Sequence, residues 1–200
     1  RNGDYLFSER IQLRNRQWWD GKKEIEAKHL SPKMAGRIYV EKLGIKLPDL
    51  YWSGNEISEI PTLKELPPKV VIKPDRGWSA KNVWCLSDTV NLLDNKEYTI
   101  GEIKKQLSED DFIQNKKPTF MAEEFLIPEK EGENPIPRDY KFHCFGSEIA
   151  MLVVVDRVSI KDDNLNTYHC FDNNFNPIKQ KVLKYKTVPG NMLQLPECFN

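Results

Sequence analysis

The chain has 200 residues, 39% of them apolar and 30% charged, and its acids and bases cancel to a net charge of zero. That is apolar material enough for one large domain or two small lobes. It argues against a chain drawn by its overall field to nucleic acid or an anionic membrane. No apolar run approaches the ~20 residues of a bilayer-spanning helix, so no transmembrane segment is expected.

Residues 1–30 are polar and charged around Trp18-Trp19. Such a pair can stack on a ligand, or bury one ring and pack the other on the surface. The chain starts at Arg1 without a signal-peptide pattern and stops at QLPECFN without a helix cap, so it reads as a segment of something longer. SPKMAGRIYVEKLGI predicts a helix, with Ser31 as its cap, Pro32 in the first turn and Gly44 at the stop. Met34, Ile38, Tyr39 and Leu43 follow helical spacing along it. KLPDLYW is extended, because the residue before a proline avoids the helical region, and TLKELPP is a short helical turn.

VVIKPDRGWSAKNV then runs from a strand into a polar loop and out to a new apolar segment. Pro-Asp with a nearby glycine is ordinary turn chemistry, and it also suits a loop that holds phosphate. VWCLSDTVNLL predicts one or two strands, and TIGEIKKQLSEDDF an amphipathic helix with Ile100, Ile103 and Leu107 on one face. In the strand TFMAEEFL one of Glu123 and Glu124 is expected to point inward. A buried carboxylate needs a partner, and a lysine that also binds phosphate is a natural one. IPEKEGENPIPR is a loop.

DYKFHCFGSEIAMLVVVDRV predicts a hairpin turning at Gly146-Ser147. Alternation puts Asp139, Lys141, His143 and Phe145 on one face of its first strand and Tyr140, Phe142 and Cys144 on the other, which reads as the core face. Arg157 closes the apolar return strand, either as an exposed end or as a site residue. LNTYHCFDNNFNPIKQKVLKY gives further strand and turn material. Cys85, Cys144, Cys170 and Cys198 are far apart and show no zinc spacing. His143-Cys144 and His169-Cys170 are poor chelating pairs, since neighbours on a strand point to opposite faces. Reduced cysteines in a cytoplasmic protein are expected. The element order predicts an α+β chain with antiparallel sheets.

VVIKPDRGWSAKNVW, FMAEEFL, PRDYKFHCFGSEI and VVVDRV stand in an order that resembles the ATP-grasp superfamily, and most closely its teichuronopeptide-biosynthesis (TupA-like) branch. The resemblance covers residues 28–200. It implies an ATP-grasp-like fold of two lobes, with mainly antiparallel sheets flanked by helices and incomplete at the C-terminus. The division is an N-terminal helical and extended segment (1–65), an N-lobe with the phosphate loop (66–126) and a partial C-lobe (127–200). ATP would lie between the lobes. Lys73 would reach the phosphates, with the Arg76–Asn82 loop, Ser79 included, folded over them. Lys33 is a second phosphate lysine or a solvent lysine on its helix. Glu123 to Leu126 would form the hinge, where the Glu124 carbonyl and the Leu126 N–H meet adenine. Asp139 would contact the ribose, and Lys141 and Arg157 the transferred γ-phosphate.

The implied activity is ATP-dependent carboxylate–amine ligation through an acyl phosphate, with a sugar-acid or glycan acceptor in surface-polysaccharide assembly. The alternatives are a glycan phosphotransferase on the same scaffold and a non-catalytic glycan- or nucleotide-binding module. Two departures stand out. Trp78 follows Gly77 where the family loop is richer in glycine, and a Trp cannot allow the close backbone approach that glycine does. No metal-ligand pattern precedes Asn200, so the residues that would hold Mg2+ are expected beyond it.

Overall fold

The chain divides at Leu47–Pro48 into two units. The computed structural model describes residues 7–21, 26–128, 135–145, 147–158, 162–180, 183, 187–188, 193 and 195.

The first unit is helical: α1 (Phe7–Trp19), a 3-10 turn (Glu26–Leu30) and α2 (Lys33–Lys42). The side chains of Trp18 and Trp19 lie outside what is described. Pro32, not Ser31, is the residue that caps α2, with extended ψ of 136° and no side-chain hydrogen bond. The Ser31 N–H closes the preceding turn instead, donating to the Lys28 carbonyl at 3.1 Å. Gly44 ends the helix as expected, at φ +70°, where a side chain would be strained. Helical spacing holds for Met34, Ile38, Tyr39 and Leu43, yet α2 has no buried residue.

The second unit holds two sheets. The larger has the order β1-β6-β2-β3-β4-β5, from β1 (Leu50–Gly54), β2 (Lys69–Pro74), β3 (Trp84–Ser87), β4 (Val90–Asn91), β5 (Lys96–Glu97) and β6 (Phe120–Glu124). Every pairing in it is antiparallel. The stretch read as the N-terminal segment 1–65 therefore contributes an edge strand, β1, to this sheet. Alternation decides which residues enter the core. Val70, Ile72, Trp84, Leu86, Phe120 and Ala122 pack under the helix layer, against Ile103, Leu107 and Ile113.

The predicted helix over 99–112 is two helices, α3 (Ile100–Glu109) and α4 (Asp111–Lys116). Thr99 and Glu102 form a reciprocal capping box that starts α3. Asp110, with extended ψ of 115°, breaks the run and caps α4 by accepting from the Ile113 N–H at 3.1 Å.

The smaller sheet is β7 (Asp139–Phe145), β8 (Glu148–Asp156) and β9 (Thr167–Phe171), antiparallel in that order. The expected hairpin is β7–β8. Its two faces carry separate cores, Leu152, Val154 and Phe171 on one and Val153, Val155, Tyr168 and Cys170 on the other. Tyr140 joins the first core. Phe142 and Cys144, expected beside it, are exposed. They lie on an edge strand toward the hairpin end, and the register shifts between His143 and Cys144. No helix among the described residues is long and apolar enough to cross a membrane.

Candidate functional site

Strand alternation turns Val70, Ile72 and Pro74 into the core and leaves Val71 and Lys73 on the opposite face of the larger sheet. Met121 and Glu123 of β6 share that face. Val71 is directly opposite Glu123 and Lys73 opposite Met121, so Lys73 reaches diagonally to Glu123, and its Nζ donates to Glu123 Oε1. Glu123 is 9% exposed, so this is the inward carboxylate of the pair and the lysine is its partner. Glu124 has another job. Its Oε2 accepts from the Asp49 N–H at 3.0 Å, beside the backbone bond from Glu124 N to Asp49 O at 2.8 Å, and together they hold the approach to β1. Cys85 lies on the same row, opposite Val71 from β3. Burial pushes its thiol up to about 11, with Lys73 pulling it down and Glu123 pushing it up.

β2 ends in the Arg76–Asn82 loop. Gly77 has φ +125°, and Ser79, Ala80 and Asn82 hold φ of +54°, +56° and +58°. Non-glycine residues in this region cost on the order of 1 kcal/mol each, so the surroundings must hold them. Part of that hold comes from α4. Lys81 Nζ is 2.7 Å from Asp110 Oδ2, and the Asn82 side chain also bonds Asp110. Lys81 leads the causes that keep the Asp110 carboxyl below its ordinary range. The Trp78 indole meets the Phe112 ring edge to face, centroids 5.3 Å apart at 82°. Trp78 stays 72% exposed and, with Arg76, Lys81 and Phe112, lines a shallow pocket. Its bulk thus turns toward the helix layer, away from the sheet face that carries Lys73.

The smaller sheet carries two charge clusters centred on the acids of two inverted dipeptides, Arg138-Asp139 and Asp156-Arg157. On the face of Val153 and Val155, Asp139 Oδ2 is 2.5 Å from Lys141 Nζ and 3.4 Å from Arg157 Nη2. On the other face, Asp156 takes Arg138 Nε at 2.7 Å through Oδ1 and His169 Nε2 at 3.2 Å through Oδ2. The structure therefore brings Asp139, Lys141 and Arg157 together, as it does Lys73 and Glu123. Leu126, just past β6, is 51% exposed, Ser79 is exposed, and Lys33 opens α2 in the first unit.

The family model described as TupA-like ATPgrasp matches residues 9–200. The chain belongs to the TupA-like ATP-grasp family. No curated protein and no solved structure matches it. Membership makes it a protein of a nucleotide-binding superfamily and accounts for its two antiparallel sheets with flanking helices.

A TupA-like ATP-grasp protein is expected to use Mg2+, and the described residues do not fit that ion. Among them no group of three or more His, Cys, Asp or Glu side chains could hold a metal. Four acids at the candidate site are matched to cations: Glu123 to Lys73, Asp110 to Lys81, Asp139 to Lys141 and Arg157, Asp156 to Arg138. His169 and Cys170 face opposite cores, and Cys85, Cys144 and Cys170 are free thiols. Sequence reading missed Arg138, Asp156, His169 and the Lys81–Asp110 link. The one available signal was the mirrored order of Arg-Asp and Asp-Arg at the two ends of a hairpin.

Proposed function

We propose that this TupA-like ATP-grasp protein is an ATP-dependent carboxylate–amine ligase, or the nucleotide-binding part of one. A carboxylate oxygen attacks the γ-phosphorus of ATP, forming an acyl phosphate as the bond to ADP breaks. An amine nitrogen then attacks the acyl carbon, expels inorganic phosphate and loses a proton to leave an amide. Such transfers depend on positioning and charge stabilisation more than on a protein nucleophile. In this reading Lys73 meets the phosphates, and the Ser79 loop joins it. The Glu124 carbonyl and the Leu126 N–H take the adenine edge. Asp139 takes the ribose, and Lys141 and Arg157 the γ-phosphate.

The observation that carries the reading is Lys73 held by the mostly buried Glu123 on the sheet face opposite the core of Ile72, Ile103 and Leu107. A cation kept half-buried and pre-aimed is suited to an anionic ligand, since little ordering remains to be done when the ligand arrives. The acceptor class, a sugar acid or glycan of surface-polysaccharide assembly, rests on the family resemblance alone.

The test is calorimetry of ATP binding to the wild type and Lys73→Ala, with circular dichroism to check folding. Loss of binding in a folded variant is expected, and unchanged affinity would sink the assignment. Turnover with candidate acceptors should release ADP and inorganic phosphate together, and hydroxylamine should trap the acyl phosphate as a hydroxamate. ADP with a stable phosphorylated product would instead mark a phosphotransferase. The exposed Trp78 favours one second reading, a glycan-binding module. It would show a thermal shift with sugar and none with nucleotide.

A further inference from the structure

We infer that Arg138, Asp156 and His169 form a positioning brace that sets the Arg157 guanidinium for the γ-phosphate of ATP; this rests on the role proposed above for Arg157. The geometry begins with chain direction. Asp156 is the last residue of β8, paired with Thr167 of β9, and Arg157 is the first residue past the ladder. The residues on either side of Arg157 are tied down. Before it, the Asp156 carboxylate is held by Arg138 at 2.7 Å and His169 at 3.2 Å. After it, the Val158 N–H donates at 2.8 Å to Oδ1 of Asn166, which is fully buried.

Two members of the cluster are well shielded, His169 at 4% exposed and the Arg138 side chain at 16%, while Asp156 is 27% exposed, close to Arg157 at 22%. Shielded charges are expensive to desolvate and contribute little net stability, so a partly buried Arg–Asp–His cluster calls for another role, and fixing one geometry is such a role. On the front face Arg157 Nη2 lies 3.4 Å from Asp139 Oδ2, long for a charge-assisted hydrogen bond. The back-face cluster and Asn166 hold the backbone at 156–158 from which the guanidinium projects. Because Arg138 neighbours Asp139 and Asp156 neighbours Arg157, one pair on the back sets the register of the other on the front.

The experiment measures ATP and ADP affinities by calorimetry for the whole chain. The ATP-over-ADP preference isolates the γ-phosphate, which a merely structural role would not single out. Arg157→Ala should abolish that preference. Asp156→Asn should lower it by about tenfold, with ADP affinity held within about twofold, the scale of couplings inside one charge network. The double variant should be no worse than Arg157→Ala alone. His169→Gln keeps a donor for Asp156 and should retain the preference, while His169→Leu should lose it, so the inference stays testable if Asp156→Asn folds poorly. If Asp156→Asn and His169→Leu keep the preference, or weaken ATP and ADP equally, the brace is overturned while the ligase reading stands. If Arg157→Ala leaves the preference unchanged, the role of Arg157 fails and the brace falls with it.

Discussion

Lys73 and Glu123, fifty residues apart in the chain, meet on adjacent strands because the register of β2 on β6 sets Val71 against Glu123 and Lys73 two pairs further on. Both side chains are mostly shielded, 19% and 11% exposed. Removing one partner of a shielded pair strands the other, whereas removing both with apolar groups of similar size is often neutral. Lys73→Ala should therefore destabilise by about 3 kcal/mol, the low end for a broken buried pair. Lys73→Met with Glu123→Leu should recover most of that loss and still bind no ATP. Urea melts and calorimetry on the same samples separate the two effects. A double variant as unstable as the single one would show that the pair matters for more than its charge.

Lys81 and Asp110 set an acid limit on how firmly the phosphate loop is held. The Asp110 carboxyl lies below its ordinary range, first through Lys81 and then through the Ile113 N–H and Asn82, against an opposing effect of burial. A lowered carboxyl pKa stabilises the fold above the unfolded value, about 3.9 for Asp, and that contribution is lost as pH falls through the folded value. The wild type should thus lose stability below about pH 4. Asp110→Asn should be less stable at neutral pH by up to about 1 kcal/mol, since Lys81 is largely exposed, and should show a smaller acid step. Asp110→Ala should lose about 1 kcal/mol more, because asparagine still caps α4 and alanine does not. Thermal melts from pH 3 to 7 give both comparisons. An acid step of full size in Asp110→Asn would assign it to another group.

Cys85 reports on the same face as Lys73. With its thiol pushed up to about 11, almost none is thiolate at pH 8, and the thiolate is the reactive form. Iodoacetamide should label the exposed Cys144 first and reach Cys85 only slowly in the folded protein. Lys73 pulls the Cys85 value down and Glu123 pushes it up. Lys73→Met should slow Cys85 labelling further and Glu123→Gln should speed it, as followed by peptide mass spectrometry in the folded state. Equal rates in both variants would mean that burial alone controls the thiol.

An apolar strand turns one glutamate of the Glu123-Glu124 pair inward and calls for a cationic partner, and the fold supplies that partner in Lys73. Alternation also separated Asp139 and Lys141 from Tyr140. It could not say how far a core extends along an edge strand, so Phe142 was read as buried and is exposed. The break at Asp110 was harder to see. An acid after ten helical residues fits a continuing amphipathic helix as well as a cap, and only the contacts of Ile113 with the sheet core decide between them. Arg138, Asp156 and His169 were invisible for a related reason. Their meeting depends on the register of three strands, and register is set by the whole hydrophobic pattern and not by any one residue.

Trp78 stood out in the sequence as a bulky residue where close backbone approach was expected, and its packing gives the last prediction. Its ring meets Phe112, and Phe112 packs against the core that contains Ile72, the face opposite Lys73. An edge-to-face aromatic pair contributes about 0.5–1.5 kcal/mol beyond area burial. Trp78→Ala and Phe112→Ala should each destabilise, and the double variant by less than their sum, a coupling that urea melts can measure. ATP affinity should stay within about twofold of wild type in Trp78→Ala, because the indole anchors the loop from behind and leaves its phosphate side clear. A loss of ATP binding as complete as that expected for Lys73→Ala would put the indole in the nucleotide site. Lost sugar binding with ATP binding intact would instead make the exposed ring a carbohydrate platform, the outcome that favours the glycan-binding reading.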